Sequence, residues 1–403
     1  MTFIGELRFI NKLLAYLLFQ ITKLVPRKSD KWVFGAHFGF SENSKYLFYE
    51  INERHYSIRA IWIANNREDV VRLRNQGLEA YHWKTLKGLW HTITSRVFVI
   101  NSDVSDINRC LAGGAFVLNL WHGVGLKKVR WLAKDYYSRK YNVSDSSFRF
   151  KIETFFWLFC KTDLCLVPSL AQAKIFFIPM LNTTCDHILL GGYPRNRLLM
   201  SKKCDVENYV KTHESGETLM LVRSLQKYSH VYIYMPTWRN DSHDFVGSAK
   251  IDWYKLNEGL RERNAILLLK LHPHTRLDLS VIYTYSNIKN YPPQCDVYAV
   301  MPFTDTLITD YSSIYSDYSL MDKEIILFVY DYDQYVKGSY ELKDYDKYYP
   351  GVRAHSFEEL LVIIKEGRDC HVPKAERDFV MQFYWDSIDN RVDIVEEVKK
   401  RLN

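Results

Sequence analysis

The seven cysteines of this chain (Cys110, Cys160, Cys165, Cys185, Cys204, Cys295 and Cys370) include no Cys-x-x-Cys pair. An odd, unpatterned set argues against a disulfide framework or a thiolate zinc site and fits a reducing cytoplasm. Glycine and proline are scarce, at 17 and 11 of 403 residues, and low-complexity tracts and internal repeats are missing, so extensive disorder is not expected. A long uncharged apolar run is missing too. Residues 13–19 are strongly apolar, but Glu6, Arg8, Lys12 and Lys23 interrupt the wider stretch, leaving it too short to cross a bilayer. No small-residue cleavage site follows to mark a signal peptide. Two readings of residues 1–28 remain open: an amphipathic helix at a membrane interface, or a helix packed on the first domain.

What is present is apolar material for two cores. Hydrophobic residues make up 47% and aromatics 15%, and the length suits two domains. Lys and Arg number 54 against 47 Asp and Glu, and the net charge of +7 suits an anionic substrate or an acidic membrane surface. No nucleic-acid-binding signature accompanies that charge, so nucleic acid is not expected as a partner.

Short apolar runs at 31–36, 58–64, 96–100, 115–121, 164–167 and 187–190 alternate with helical patterns such as 69–75. That rhythm predicts right-handed βαβ units and a parallel sheet. Gly191, Gly192 and Pro194 break it, and residues 201–217 read as a helix and linker. It restarts at 231–234, 265–270, 306–309 and 325–329. The expected organisation is an α/β chain with an N-terminal helix (1–28), a first doubly wound domain (29–200), a second (201–375) and a helical segment (376–403) returning to the first. Ligands are expected in the cleft between the two domains, at the carboxyl ends of the strands.

Polar, reactive residues follow four of these strands. His122, with Gly123 and Lys127 after it, can accept a proton from an attacking hydroxyl, or it can be a histidine bonded within a turn. Arg239 can grip phosphate bidentately with Thr237 adding a hydroxyl, although a surface Arg–Asp pair fits as well. His272, in a turn stiffened by Pro273, suits phosphate stabilisation or proton transfer better than metal binding, because no His or Cys partner lies at ligand spacing. His274 reads as structural. Asp310, Ser312 and Ser313 sit where a helix is expected to begin, an arrangement that serves an anion or an ordinary N-cap. Asp317, one turn on, can accept from ribose hydroxyls.

Together and in order, five motifs resemble the CDP-glycerol glycerophosphotransferase family, which includes teichoic acid primases, polymerases and related capsule enzymes. They are Trp-His-Gly at 121–123, Gly-Tyr-Pro-Arg-Asn-Arg at 192–197, Pro-Thr-Trp-Arg-Asn-Asp at 236–241, Leu-His-Pro-His at 271–274 and Ile-Thr-Asp-Tyr-Ser-Ser at 308–313. The resemblance runs from about Lys31 to Val395. It implies a GT-B arrangement of two Rossmann-like domains, the first handling the acceptor and the second a CDP-polyol. It also implies His122 as general base and His272 as a second essential histidine near the donor phosphates. Thr237, Arg239, Asp310, Ser312, Ser313 and Asp317 fall on donor phosphate or nucleotide positions, and Arg195, Asn196, Gly123, Lys127 and Lys337 on acceptor or secondary ones. Val124-Gly125 replaces a usual Thr-Pro, Glu324 a common proline, and Lys337-Gly338 an Arg-Gly pair, which keeps the charge but loses the fork.

The implied reaction transfers glycerol phosphate from CDP-glycerol, or the related group from CDP-ribitol, to a hydroxyl of a cell-surface polymer or its lipid-linked precursor, releasing CMP. No tightly bound cofactor or metal is expected. The expected location is the inner face of a bacterial membrane, in peripheral contact with anionic lipid and with room for other biosynthetic enzymes as partners. The competing readings are a GT-B glycosyltransferase using a nucleotide sugar and a non-catalytic scaffold of the same descent.

Overall fold

The computed structural model describes residues 3–54, 56–125, 129–133, 161–237, 248–271, 282–338, 344–389 and 392–402, with backbone alone at 3–10 and 336–338. The chain divides into two units. The first comprises Met1–His122, Lys128–Arg195 and Asp386–Asn403, and the second Gly123–Lys127 and Asn196–Trp385.

In the first unit, strands β1 (Lys28–Phe34), β2 (Arg59–Ala64), β3 (Ala80–His82), β4 (Ser95–Ile100), β5 (Phe116–Asn119), β6 (Leu164–Val167) and β7 (Ile188–Leu190) form one sheet. Its order is β3-β2-β1-β4-β5-β6-β7, and every pairing is parallel. The second unit has β8 (His230–Tyr234), β9 (Ala265–Leu269), β10 (Ile288–Asn290), β11 (Thr306–Thr309), β12 (Glu324–Phe328) and β13 (Val352–Ala354), in the order β10-β9-β8-β11-β12-β13, again all parallel. Each is a Rossmann-like, doubly wound sheet, as the alternating pattern predicted. Strands covered on both faces are apolar throughout: residues 97–100 of β4 and 266–269 of β9 are all buried.

Strand order reverses between β1 and β4 in the first unit and between β8 and β11 in the second. At such a switch point the loops leave in opposite directions and open a crevice at the carboxyl edge. Three strands, β3, β10 and β13, were not anticipated. Each is three residues long, too short for a periodicity signal, and each lies at a sheet edge.

Helix α1 (Phe3–Thr22) docks by its last turns. Phe19 enters the core with Val33, Ile61, Phe98 and Val117. The Thr22 hydroxyl donates to the Phe19 carbonyl at 2.9 Å and accepts from the Gly113 amide at 3.1 Å. A Cβ at residue 113 would lie 2.0 Å from the Phe19 carbonyl oxygen, so only glycine permits this approach. Arg27 adds bonds to the Ser95 carbonyl at 2.6 Å and the Leu111 carbonyl at 2.7 Å. Leu13, Leu14, Leu17, Leu18, Ile21 and Leu24 stay exposed. Among the described residues no helix is long and apolar enough to cross a membrane.

The terminal helical segment is two helices, not one. Lys374–Trp385 belongs to the second unit, where the Trp385 indole donates to the Ser316 carbonyl at 2.8 Å. Ile394–Leu402 belongs to the first, with Val395 and Val398 buried and Arg401 donating to the Asp186 carbonyl.

The cysteines of the described residues differ sharply in environment. Cys165, Cys295 and Cys370 are buried, and burial pushes the thiols up, to about 12 for Cys370. Cys185 and Cys204 are exposed. Maleimide labelling at pH 7.5, read by peptide mass mapping, is expected to modify Cys185 and Cys204 within minutes and to reach Cys165 and Cys370 only after denaturation.

Candidate active site

In the first unit the carboxyl edge carries His122. Strand β5 stops at Asn119 because the Asn119 side chain accepts the Trp121 amide at 2.9 Å and Trp121 turns the chain at φ 53°. The buried Trp121 ring stacks on the His122 imidazole at 4.6 Å and lies under the Arg130 guanidinium at 5.5 Å. Asn43, at the start of helix α2 (Glu42–Glu53), donates to the carbonyls of Leu120 and Trp121 at 3.3 and 2.8 Å. The backbone leading into His122 is therefore clamped from both sides, while the imidazole itself is exposed.

His122 Nδ1 lies 3.1 Å from the Asn101 carbonyl oxygen. A carbonyl only accepts, so in the neutral ring Nδ1 carries the proton and the lone pair sits on Nε2. Asn101 ends β4 on the loop that crosses the switch point. Its side chain accepts the Ser44 amide at 2.9 Å and donates to the Gly35 carbonyl at 3.3 Å. The buried Asp106 carboxylate accepts the amides of Asn101 and Ser102 at 2.9 and 2.8 Å through one oxygen, Oδ2. Burial pushes Asp106 up to about 6, against the pull of those two amides. Asp103 is half-buried, but the Arg109 guanidinium, at 2.5 Å, holds its carboxyl below the usual range against that partial desolvation, with Arg130 adding a contact at 3.3 Å.

In the second unit the edge at β8 and β11 gathers two of the motifs. The Asp310 carboxylate accepts the Thr237 amide at 2.8 Å, and the Thr309 hydroxyl donates to the Met235 carbonyl at 2.8 Å. Asp310 and Thr309 are buried, Thr237 and Ser312 half-buried, and Ser313 exposed. Asp310 thus ties the two loops together instead of capping the helix. The buried Tyr345 hydroxyl holds the Asp310 carbonyl at 3.1 Å. The expected helix starts at Ile314 and runs only to Tyr318, with Ser313 before it and the Ser312 hydroxyl accepting the Ile314 amide at 3.4 Å. So short a helix adds little dipole, and the hydroxyls and amides of the loop are what it offers an anion.

Other expected site residues are placed differently. Asp317 is 2% exposed and accepts the Tyr298 hydroxyl at 2.9 Å, so it is packed within the unit rather than presented at its surface. Arg195 is 1% exposed; it pairs with Glu42 at 2.5 Å and its amide donates to Asn43 at 3.3 Å. It therefore braces the Asn43 clamp. Asn196 is buried at the start of helix Asn196–Leu199. Gly123 is buried at φ 146°, a conformation that favours glycine. Lys337 lies in helix Tyr332–Gly338 with its side chain outside the described part. Lys127, Arg239 and His272 lie outside the described residues, although β9, which leads to His272, ends beside β8 at the same edge.

Glu324, the residue found where proline is common, starts β12 and accepts the Thr306 hydroxyl at 2.6 Å. With Asp369 and His371 it forms the one group of metal-ligand type among the described residues, its atoms within 4.8 Å of one another. Asp369 and His371 are exposed and already bonded to each other at 2.7 Å.

The residues supporting His122, namely Asn43, Asn101, Asp106 and Arg130, were not singled out from sequence. The signal available was the polar run Asn-Ser-Asp-Val-Ser-Asp at 101–106, directly after an apolar strand.

Comparisons with known proteins identify the family and the fold. A family model described as CDP-glycerol:poly(glycerophosphate) glycerophosphotransferase matches residues 17–391. A teichoic acid poly(glycerol phosphate) polymerase of Bacillus spizizenii is 25% identical, covering 95% of this chain and 95% of that protein. A teichoic acid glycerol-phosphate transferase of Staphylococcus aureus is 27% identical, covering 89% of each. Among solved structures, the wall teichoic acid polymerase TagF superposes with a TM-score of 0.69 at 21% identity, covering 100% of this chain and 98% of that one, a likeness of fold.

Removing the Asp310 carboxylate orphans the Thr237 amide. Asp310→Ala is expected to destabilise the second unit by about 1–3 kcal/mol, and Asp310→Asn, which keeps an acceptor oxygen, by less, as read by urea unfolding.

Proposed function

The chain belongs to the CDP-glycerol:poly(glycerophosphate) glycerophosphotransferase family, and from that premise we propose that it transfers glycerol phosphate from CDP-glycerol to a hydroxyl of a teichoic-acid-like or capsular polymer, or of its lipid-linked precursor. The family description names CDP-glycerol, so glycerol is taken as the polyol, with ribitol the alternative that the donor assay below distinguishes.

The observation that carries the chemistry is the Nδ1 bond of His122 to the Asn101 carbonyl. It supports His122 as the general base: Nε2 takes the proton of the acceptor hydroxyl as its oxygen attacks the β-phosphorus of CDP-glycerol. The new O–P bond forms in line with the breaking phosphoanhydride bond, and CMP leaves with the electron pair. Thr237, Ser312 and Ser313, on the loops that Asp310 ties together, fit hydrogen bonding to the donor phosphates. Arg239, His272 and Lys337 join them in this reading as the cationic or proton-carrying groups that the family motifs supply, offsetting charge that grows on the transferring and leaving phosphates.

The exposed leucines of α1, with Lys12, Lys23 and Lys28 along and beyond it, fit an interfacial helix on anionic lipid. This reading places the enzyme on the inner face of the cell membrane, where a lipid-linked acceptor is presented.

Two measurements test these statements. Incubation with CDP-glycerol, CDP-ribitol or UDP-sugars and a defined lipid-linked acceptor is expected to release CMP from CDP-glycerol, with the acceptor gaining one glycerol phosphate by mass. His122→Ala is expected to slow that release by about 10²- to 10⁴-fold with donor affinity kept. Release of UDP with transfer of a sugar would replace the proposal by a glycosyltransferase, and wild-type turnover in the variant would remove His122 from the role. Cosedimentation with phosphatidylglycerol vesicles is expected for the wild type and to fall about tenfold for Leu17→Glu/Leu18→Glu; equal binding by both would remove α1 from the membrane.

A further inference from the structure

We infer that Asp106 is a positioning residue for His122, acting across a single peptide group as a carboxylate–peptide–imidazole relay. The inference rests on the base role proposed for His122 and adds what sets that imidazole's tautomer and basicity.

The Asn101 carbonyl that accepts from His122 Nδ1 and the Ser102 amide that donates to Asp106 belong to the same peptide plane. In a trans peptide these two groups point in opposite directions and cannot turn independently. Asp106 Oδ2, the Ser102 N–H, the Asn101 C=O and the His122 Nδ1–H therefore form one hydrogen-bonded line, with links of 2.8 and 3.1 Å. A carboxylate on the N–H pushes electron density onto the carbonyl oxygen. That makes it a better acceptor for Nδ1–H and leaves Nε2 more basic. A carboxylate in direct contact with a histidine does the same in known triads; here a peptide stands between them.

The surroundings keep the line in place. Asp106 is 8% exposed and also takes the Asn101 amide, so both ends of residue 101 are held. The Ser102 carbonyl, on the next peptide, accepts the Arg130 guanidinium at 2.6 Å and the Asn119 side-chain Nδ2 at 3.1 Å. A Cβ at Gly35 would sit 2.6 Å from the Asp106 carbonyl oxygen, so the chain just after β1 packs directly against this loop. The charged groups facing Asp106 are Asp103, Arg130 and, through Asp103, Arg109. Burial raises Asp106 to about 6, so it is ionised in an assay at pH 8. The Asp106 side chain accepts from the Asn101 and Ser102 amides, so its influence on His122 passes through that peptide.

Asp106→Asn keeps the shape and removes the charge. In ¹⁵N-histidine spectra at pH 8, wild-type His122 is expected to be the Nδ1–H tautomer. In the variant the population is expected to move toward Nε2–H and the imidazole to titrate about half a unit lower. CMP release is expected to fall about tenfold in kcat with donor KM unchanged. Unchanged His122 shifts in the folded variant overturn the relay, whatever happens to kcat. Should Asp106→Asn not accumulate as folded protein, the reciprocal measurement applies. The ¹³C-carboxyl titration of Asp106 is expected to differ between wild type and His122→Ala, and superimposable curves overturn the proposal. The spectra do not depend on turnover, so an active His122→Ala enzyme would remove the base role and leave the relay to be judged by its own readout.

Discussion

A parallel sheet delivers the carboxyl end of every strand to one edge, and there the main chain loses its ladder partners. Each amide and carbonyl that leaves the sheet must then be satisfied by a side chain, by water or by a ligand. In the first unit Asn43, Asn119 and Asp106 do this for residues 101, 102, 120 and 121. In the second, Asp310 and Thr309 do it for Thr237 and Met235. The candidate chemistry grows out of this requirement: the carbonyl of Asn101, fixed because it is needed locally, is also what gives His122 one protonated nitrogen and one lone pair.

Much of the fold was legible because buried parallel strands are short apolar runs with polar punctuation. All the longer strands follow that rule, as does the end of each motif-bearing strand. The edge strands β3, β10 and β13 carry no such signal, whereas the helix expected near Ser312 does begin there, at Ile314, and is short. The terminal helical pattern hid a division, because apolar spacing does not say which core a helix serves.

The site was legible in its reactive members and opaque in its supports. His122, Thr237, Asp310 and Ser312 are read from position after a strand. Arg195 and Asp317 look the same on paper, a charged residue in or just after a motif, yet both are buried and bonded to residues of other elements. Burial of a charge depends on partners such as Glu42 and Tyr298, whose proximity only the fold creates. Asp106 is the converse case: an ordinary acidic residue in a loop that acquires meaning from a peptide five residues earlier.

The seam between α1 and the entry to β5 sets a dimension. Thr22 bonds to Gly113, and a side chain at residue 113 would collide with the Phe19 carbonyl, so the helix end and the strand entry move as one body. From Gly113 the chain reaches His122 in nine residues, no more than about 30 Å even fully extended. In the interfacial reading of α1 proposed above, that bound is the farthest the imidazole can stand from the docked end of the helix, and it limits how deep below the protein an acceptor hydroxyl can be held.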